Sequence, residues 1–167
     1  MKKLSIIFLI SVATLFTANA QSPLARGGKQ LNAGVGFSGW GVPLYLGMDF
    51  GALQNLTLGF EGSIRSYDQH VHDRNYNSSI IGISANGNYH FNALMSIPSN
   101  WDFYAGLNLG FYFWSSPSDY PYKDSSGLGL NAQIGGRYFF TNRFGLNLEF
   151  GGGNAFSGGK FGITYIL

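Results

Sequence analysis

The chain has 167 residues, no cysteine and 11% charged residues, where a soluble domain carries about a quarter. Without cysteine there is no disulfide framework, no thiol nucleophile and no thiolate metal site. Ten Lys and Arg stand against eight Asp and Glu, but two of the ten are Lys2 and Lys3; without them the charges balance, which excludes a basic nucleic-acid surface.

Residues 1–20 have the form of a signal peptide. Lys2 and Lys3 precede an apolar run from Leu4 to Phe16, and Ala18-Asn19-Ala20 supplies small residues at the cleavage position. That run is too short to span a bilayer as a helix. The expectation is export, with one domain over residues 21–167.

From there the chain reads in steps of two, the period of a β-strand. Leu31, Ala33, Val35 and Phe37 share one face, and after the Gly39–Pro43 connection so do Leu44, Leu46, Met48 and Phe50. A break near Gln54-Asn55 leads to Leu56, Leu58, Phe60, Gly62 and Ile64. Residues 66–79, SYDQHVHDRNYNSS, read as a long polar connection. The fourth strand turns Ile81, Ile83, Ala85, Tyr89 and Phe91 one way and Gly82, Ser84, Asn86, Asn88 and His90 the other. A link containing Pro98 follows, and then the clearest alternation of all, WDFYAGLNLGFYFW from Trp101 to Trp114.

A second polar connection, SSPSDYPYKDSSG, precedes a hairpin over Leu128–Gly151 whose strands flank the turn Thr141-Asn142-Arg143. A glycine-rich loop over Gly152–Gly159 and the strand KFGITYIL end the sequence. Eight strands result. Their apolar faces contain no Asp, Glu, Lys or Arg, while the other faces carry glycine and amides, and every ionisable strand residue falls on those faces or at a strand end. Apolar outside and polar inside, with aromatics near the strand ends, predicts an all-β fold: a closed antiparallel eight-stranded up-and-down transmembrane β-barrel. Lipid offers no hydrogen bonds to an open sheet edge, so the first strand is expected to pair with the eighth. The longest connections then share one end, extracellular, and the tight turns the periplasmic end.

The chain resembles the small eight-stranded outer-membrane β-barrel superfamily, the OmpA-like and OmpX-like barrels. The segment GGRYFFTNRFGLNLEFGGG, residues 135–153, is similar to that family's penultimate hairpin, and the last strand with Tyr165 and Leu167 resembles the signal read by the barrel-assembly machinery. The resemblance implies a Gram-negative outer-membrane location, lipid and lipopolysaccharide as surroundings, the assembly machinery as a transient partner, and a monomer. It implies no cofactor.

An eight-stranded barrel is just wide enough to be filled by side chains. Asp49, Glu61, Arg65, His90, Asp102, Arg137, Glu149 and Lys160 are therefore expected to form a polar network in the lumen, since a buried unpaired ion is costly. His90, Asp102 and Arg137 lie on consecutive strands near the periplasmic end and are expected to be neighbours. In the polar connections, His70 and His72 have imidazoles suited to a metal but no fixed third ligand. With Ser78 and Ser79 the same loop could supply a Ser-His-acid set, as in some eight-stranded barrels that modify lipid A. Tyr120 and Tyr122, with Trp40 and Tyr76, are candidates for an extracellular adhesive rim.

The sequence thus favours a non-enzymatic barrel with a structural or cell-surface role and a filled lumen. Its rivals are a lipid A-modifying enzyme and a narrow ion or small-solute channel. A soluble ligand-binding barrel would need the inverse facing, apolar inside and charged outside.

Overall fold

Alternation of side chains fixes which face of each strand is apolar, and in the computed structural model that face points outward all round. The structure describes residues 24–39, 41–71, 74–117 and 125–167. Strands β1 (Lys29–Ser38), β2 (Leu44–Leu53), β3 (Leu56–Val71), β4 (Arg74–His90), β5 (Trp101–Ser115), β6 (Gly127–Phe139), β7 (Phe144–Gly153) and β8 (Gly158–Ile166) follow one another around a closed barrel. Every neighbouring pair is antiparallel. Closure joins β1 to β8 from Gln30↔Ile166 to Ser38↔Gly158, so no sheet edge is left along those residues.

On β5, Phe103, Leu107, Leu109, Phe111 and Phe113 are exposed, while Asp102, Tyr104, Asn108 and Tyr112 are buried. The pattern is general. Among the described residues, 17 polar or charged side chains are buried against nine hydrophobic ones, and five of those nine are tyrosines. The interior is polar and the exterior apolar, the reverse of a soluble domain.

Aromatic rings gather at the end of this surface that carries the tight turns after β2 and β6. Trp101 stacks on Phe103 and tilts against Tyr138, which meets Phe140 edge-on; Phe140 stacks on Phe144, and Tyr89 packs on Phe91. At the other end Phe37 meets Phe150, and Phe111 meets Phe113. The link between β4 and β5 forms one helical turn, α1 (Asn92–Met95). Its Leu94 and Met95 are exposed and enlarge the apolar surface at that end.

The segment 66–79, expected to be a polar connection, is strand. β3 and β4 pair on from Arg65↔Ile80 to Val71↔Arg74, beyond the point where β2 stops at Leu44↔Ile64, and form a two-stranded ribbon from Tyr67↔Ser78, once β5 has left β4 at Ser79↔Ser115. Its composition hid it because the polarity inverts on the way up. Outward positions are apolar as far as Ile64 and Ile81, then become Ser66 and Asp68 on β3 and Ser79 and Asn77 on β4, with Asn77 donating to Asp68 at 2.9 Å. Inward positions change the opposite way, to Tyr67, Ile80 and Tyr76. Tyr67, Ile80 and Tyr112 form a small apolar core with Trp114 and Phe156 at the mouth.

This inversion marks where oil gives way to water. Eight residue steps separate Leu56 from Ile64, which at ~3.3 Å per step and a tilt near 40° amounts to roughly 20 Å of apolar wall, comparable to the band of outer-membrane barrels. The expected glycine-rich loop is also shorter than residues 152–159, since β7 runs to Gly153 and β8 begins at Gly158.

Candidate functional site

Among the described residues, strand alternation carries Asp49, Glu61, Arg65, Asp102, Arg137, Glu149 and Lys160 into the lumen. Near the end with the tight turns, Arg137 on β6 donates from Nη1 to Asp102 Oδ2 at 3.0 Å and from Nη2 to Asp49 Oδ2 at 2.7 Å. All three side chains are almost fully buried. Asp102 lies opposite Arg137 in the β5–β6 register, whereas Asp49 comes from β2 across the barrel. His90 completes the group, with Nδ1 2.7 Å from Asp102 Oδ1 and Nε2 3.0 Å from Thr57 Oγ1. Asn32 donates to Asp49 and accepts from Gln30 and Thr164. Six strands besides β6 (β1, β2, β3, β4, β5 and β8) thereby contribute to holding one guanidinium.

A second cluster lies further out. Lys160 on β8 donates to Glu61 Oε2 of β3 and pairs with Glu149 Oε1 of β7, each at 2.8 Å. Tyr104 joins the two clusters. Its hydroxyl donates to Glu149 Oε2 at 2.8 Å, and its ring lies 4.4 Å from the Arg137 guanidinium carbon. That ring crosses the lumen over Gly135, where a Cβ would overlap it. The glycine is needed for this close approach. His90, Asp102, Arg137, Tyr104, Glu149, Lys160 and Glu61 form an unbroken polar chain through the barrel.

Arg65 stands apart from both clusters, at the mouth. Its Nη1 donates to Ser38 Oγ at 3.1 Å, and its guanidinium lies 4.1 Å from the centre of the Phe156 ring. Phe156 belongs to the β7–β8 turn, which folds inward and packs on Tyr112 and Trp114. Between this lid and the Lys160 cluster lies a cavity of about 100 Å³. A smaller one, about 20 Å³, separates the Lys160 and Arg137 clusters.

Three-dimensional likeness to known proteins decides what kind of barrel this is. OprG from Pseudomonas aeruginosa matches at a TM-score of 0.66 and 9% identity, over 87% of this chain and 99% of that one. The N-terminal barrel domain of Pseudomonas aeruginosa OprF matches at 0.56 and 14%, over 85% and 98%. Neisserial surface protein A matches at 0.53 and 16%, over 82% and 92%. The fold is that of the small eight-stranded outer-membrane barrels. No family model matches the sequence, and no curated protein does either, so the likeness lies in the fold alone.

Within this barrel fold, seven of the eight residues expected to form the network join two clusters linked by Tyr104, and Arg65 is held separately. The strand pattern alone did not point to Gln30, Asn32, Thr57 or Tyr104, because an isolated amide, hydroxyl or phenol on an inward face looks the same whether or not it has a partner. The extracellular candidates fare differently. His70 lies on β3; its side chain, like the whole of Trp40, His72, Tyr120 and Tyr122, lies outside the described residues. Tyr76 is buried at the mouth rather than presented at a rim. Ser78 is 1% exposed and donates to Ser116 at 3.2 Å, so its hydroxyl faces inward, away from lipid. Among the described residues, no group of three or more His, Cys, Asp or Glu is placed to hold a metal ion.

Proposed function

We propose that the protein is an integral outer-membrane barrel, non-enzymatic and monomeric, whose lumen is closed by its own ion pairs and whose role is structural or at the cell surface. One observation carries the reading: Arg137 and Lys160 each bind two carboxylates from different strands, pinning the wall across the lumen at two levels. Ions crossing the barrel would have to displace pairs whose separation leaves buried charge uncompensated. The apolar outer band supports a lipid environment. Export by residues 1–20, insertion by the assembly machinery and contact with lipopolysaccharide belong to the same reading. The polar outer face of the β3–β4 ribbon, above the apolar wall, favours a surface-interaction role over a purely structural one.

Planar-bilayer recording tests the closed lumen. The refolded protein should give no steady conductance steps; reproducible open levels would support a channel instead. Analysis of lipid A acyl chains tests the enzymatic rival. The profile should not change when His70, His72, Ser78 and Ser79 are replaced by alanine, and a lost modification would contradict a non-enzymatic role.

A further inference from the structure

Exposed charge is divided between the two ends of the barrel. At the end with the tight turns Arg26, Lys29 and Arg143 are exposed, and among the described residues no acidic side chain joins them there. Asp49 and Asp102 are taken up by Arg137, and Glu61 and Glu149 by Lys160, all in the lumen. Asp68 stands on the ribbon at the far end. None of the three cations makes an ion pair among the described residues. Backbone hydrogen bonds set them in one arc. The Leu167 N–H donates to the Lys29 carbonyl at 2.9 Å and the Ile166 N–H to that of Arg143 at 2.8 Å. Lys29 and Arg143 therefore flank the end of β8, about 10 Å apart by two strand spacings. Arg26 continues the arc beside β2, where the Gly27 N–H donates to the Gly51 carbonyl at 2.8 Å and the Gly51 N–H to that of Gly28 at 3.0 Å. Even with a carboxylate at Leu167, cations outnumber anions along the arc.

What borders the arc selects its partner. Lys29 opens the outward row that continues through Leu31 on β1, and Arg143 adjoins Phe144, which lies opposite Tyr165 in the β7–β8 register. Phe144, Tyr165 and Leu53 are exposed parts of the apolar wall. A molecule covering this region meets cations at the rim and hydrocarbon directly beside them. A soluble acidic partner suits the first and not the second. An anionic glycerophospholipid suits both, with its phosphate on the rim and its acyl chains along the wall. Lys and Arg close to a membrane surface attract anionic headgroups, and their long stems carry the charge out to the headgroup layer. We infer that Arg26, Lys29 and Arg143 bind the phosphate headgroups of anionic phospholipids in the leaflet at the tight-turn end. Lipid selection at this end presupposes the bilayer-embedded barrel proposed above.

Site-resolved quenching on the mature chain refolded into vesicles tests this. A bimane label on Phe144→Cys, beside the arc, or on Phe113→Cys, at the opposite end, reports local lipid when that lipid is brominated on its acyl chains. The vesicles mix phosphatidylglycerol with phosphatidylcholine, and only one of the two is brominated in each sample. At Phe144→Cys quenching should favour phosphatidylglycerol about fivefold, and at Phe113→Cys it should favour neither. Arg26→Gln, Lys29→Gln and Arg143→Gln together should remove the preference while quenching itself persists. Inorganic phosphate at constant ionic strength should leave the preference in place. Equal quenching by the two lipids at Phe144→Cys, the same preference at Phe113→Cys, its survival in the triple variant, or its loss to free phosphate would overturn the assignment. Absence of quenching at both sites would instead contradict the bilayer-embedded barrel, and the lipid selection with it. Both labelled proteins keep the arc intact, so comparing them decides the matter even if the triple variant fails to fold.

Discussion

Removing the Arg137 guanidinium leaves Asp49 and Asp102 facing each other with no cation between them. Both are almost fully buried, so Arg137→Met should destabilise the barrel by about 3–5 kcal/mol, the usual loss when one partner of a buried pair is removed. Reversible unfolding in urea with lipid vesicles would measure it. Much of that loss is the stranded charge and not the bond itself. Adding Asp49→Asn and Asp102→Asn should therefore recover stability, and a triple variant as weak as the single one would contradict the pairing. Lys160→Met should cost less, because Lys160 is 23% exposed and water can reach the two glutamates it leaves. A second prediction concerns Gly135. Gly135→Val puts a branched side chain where the Tyr104 ring lies, so it should displace that ring, break its hydrogen bond to Glu149 and lower the unfolding midpoint more than Gly62→Val, where a Cβ meets nothing within 4 Å.

Strands carry the next set of consequences. If oil ends between Ile64 and Ser66 on β3 and between Ile81 and Ser79 on β4, a charge should be costly below that line and cheap above it. Leu109→Arg, at the middle of β5, should cost about 2–4 kcal/mol, and Ser79→Arg about 0–1 kcal/mol. Equal costs in the same vesicle assay would place the boundary elsewhere. This ribbon also shows where reading the sequence stopped. Below the boundary, period-two alternation with apolar residues outward is an unmistakable signal, and all eight strands were legible from it. Above the boundary the alternation persists with its sense reversed, and Tyr67, Tyr76 and Ile80 turn inward among serines and asparagines. A stretch rich in polar residues with no apolar ribbon looks like a loop, and only pairing with its partner strand makes it a sheet.

At the scale of the whole molecule, closure explains which contacts sequence could foresee. His90, Asp102 and Arg137 are neighbours through two consecutive hairpins, so counting residues from the turns brought them together. Asp49 reaches Arg137, and Glu61 reaches Lys160, across the lumen; those meetings depend on strand stagger and tilt once β1 pairs with β8, which no local pattern encodes. The small polar groups that complete the network were illegible for the same reason. The closed geometry also inverts the usual roles of inside and outside. The interior is held by hydrogen bonds and ion pairs, while the leucines and phenylalanines contribute through the surrounding lipid.

That inversion can be read directly, because a chain without cysteine accepts single cysteines cleanly. Spin labels placed one at a time from Phe103 to Phe113 on β5, in lipid bilayers, should report high oxygen and low nickel-chelate accessibility at odd positions, with both reagents excluded at even positions. A nickel-accessible odd series, or accessibility without a period of two, would contradict a barrel whose leucines and phenylalanines face lipid.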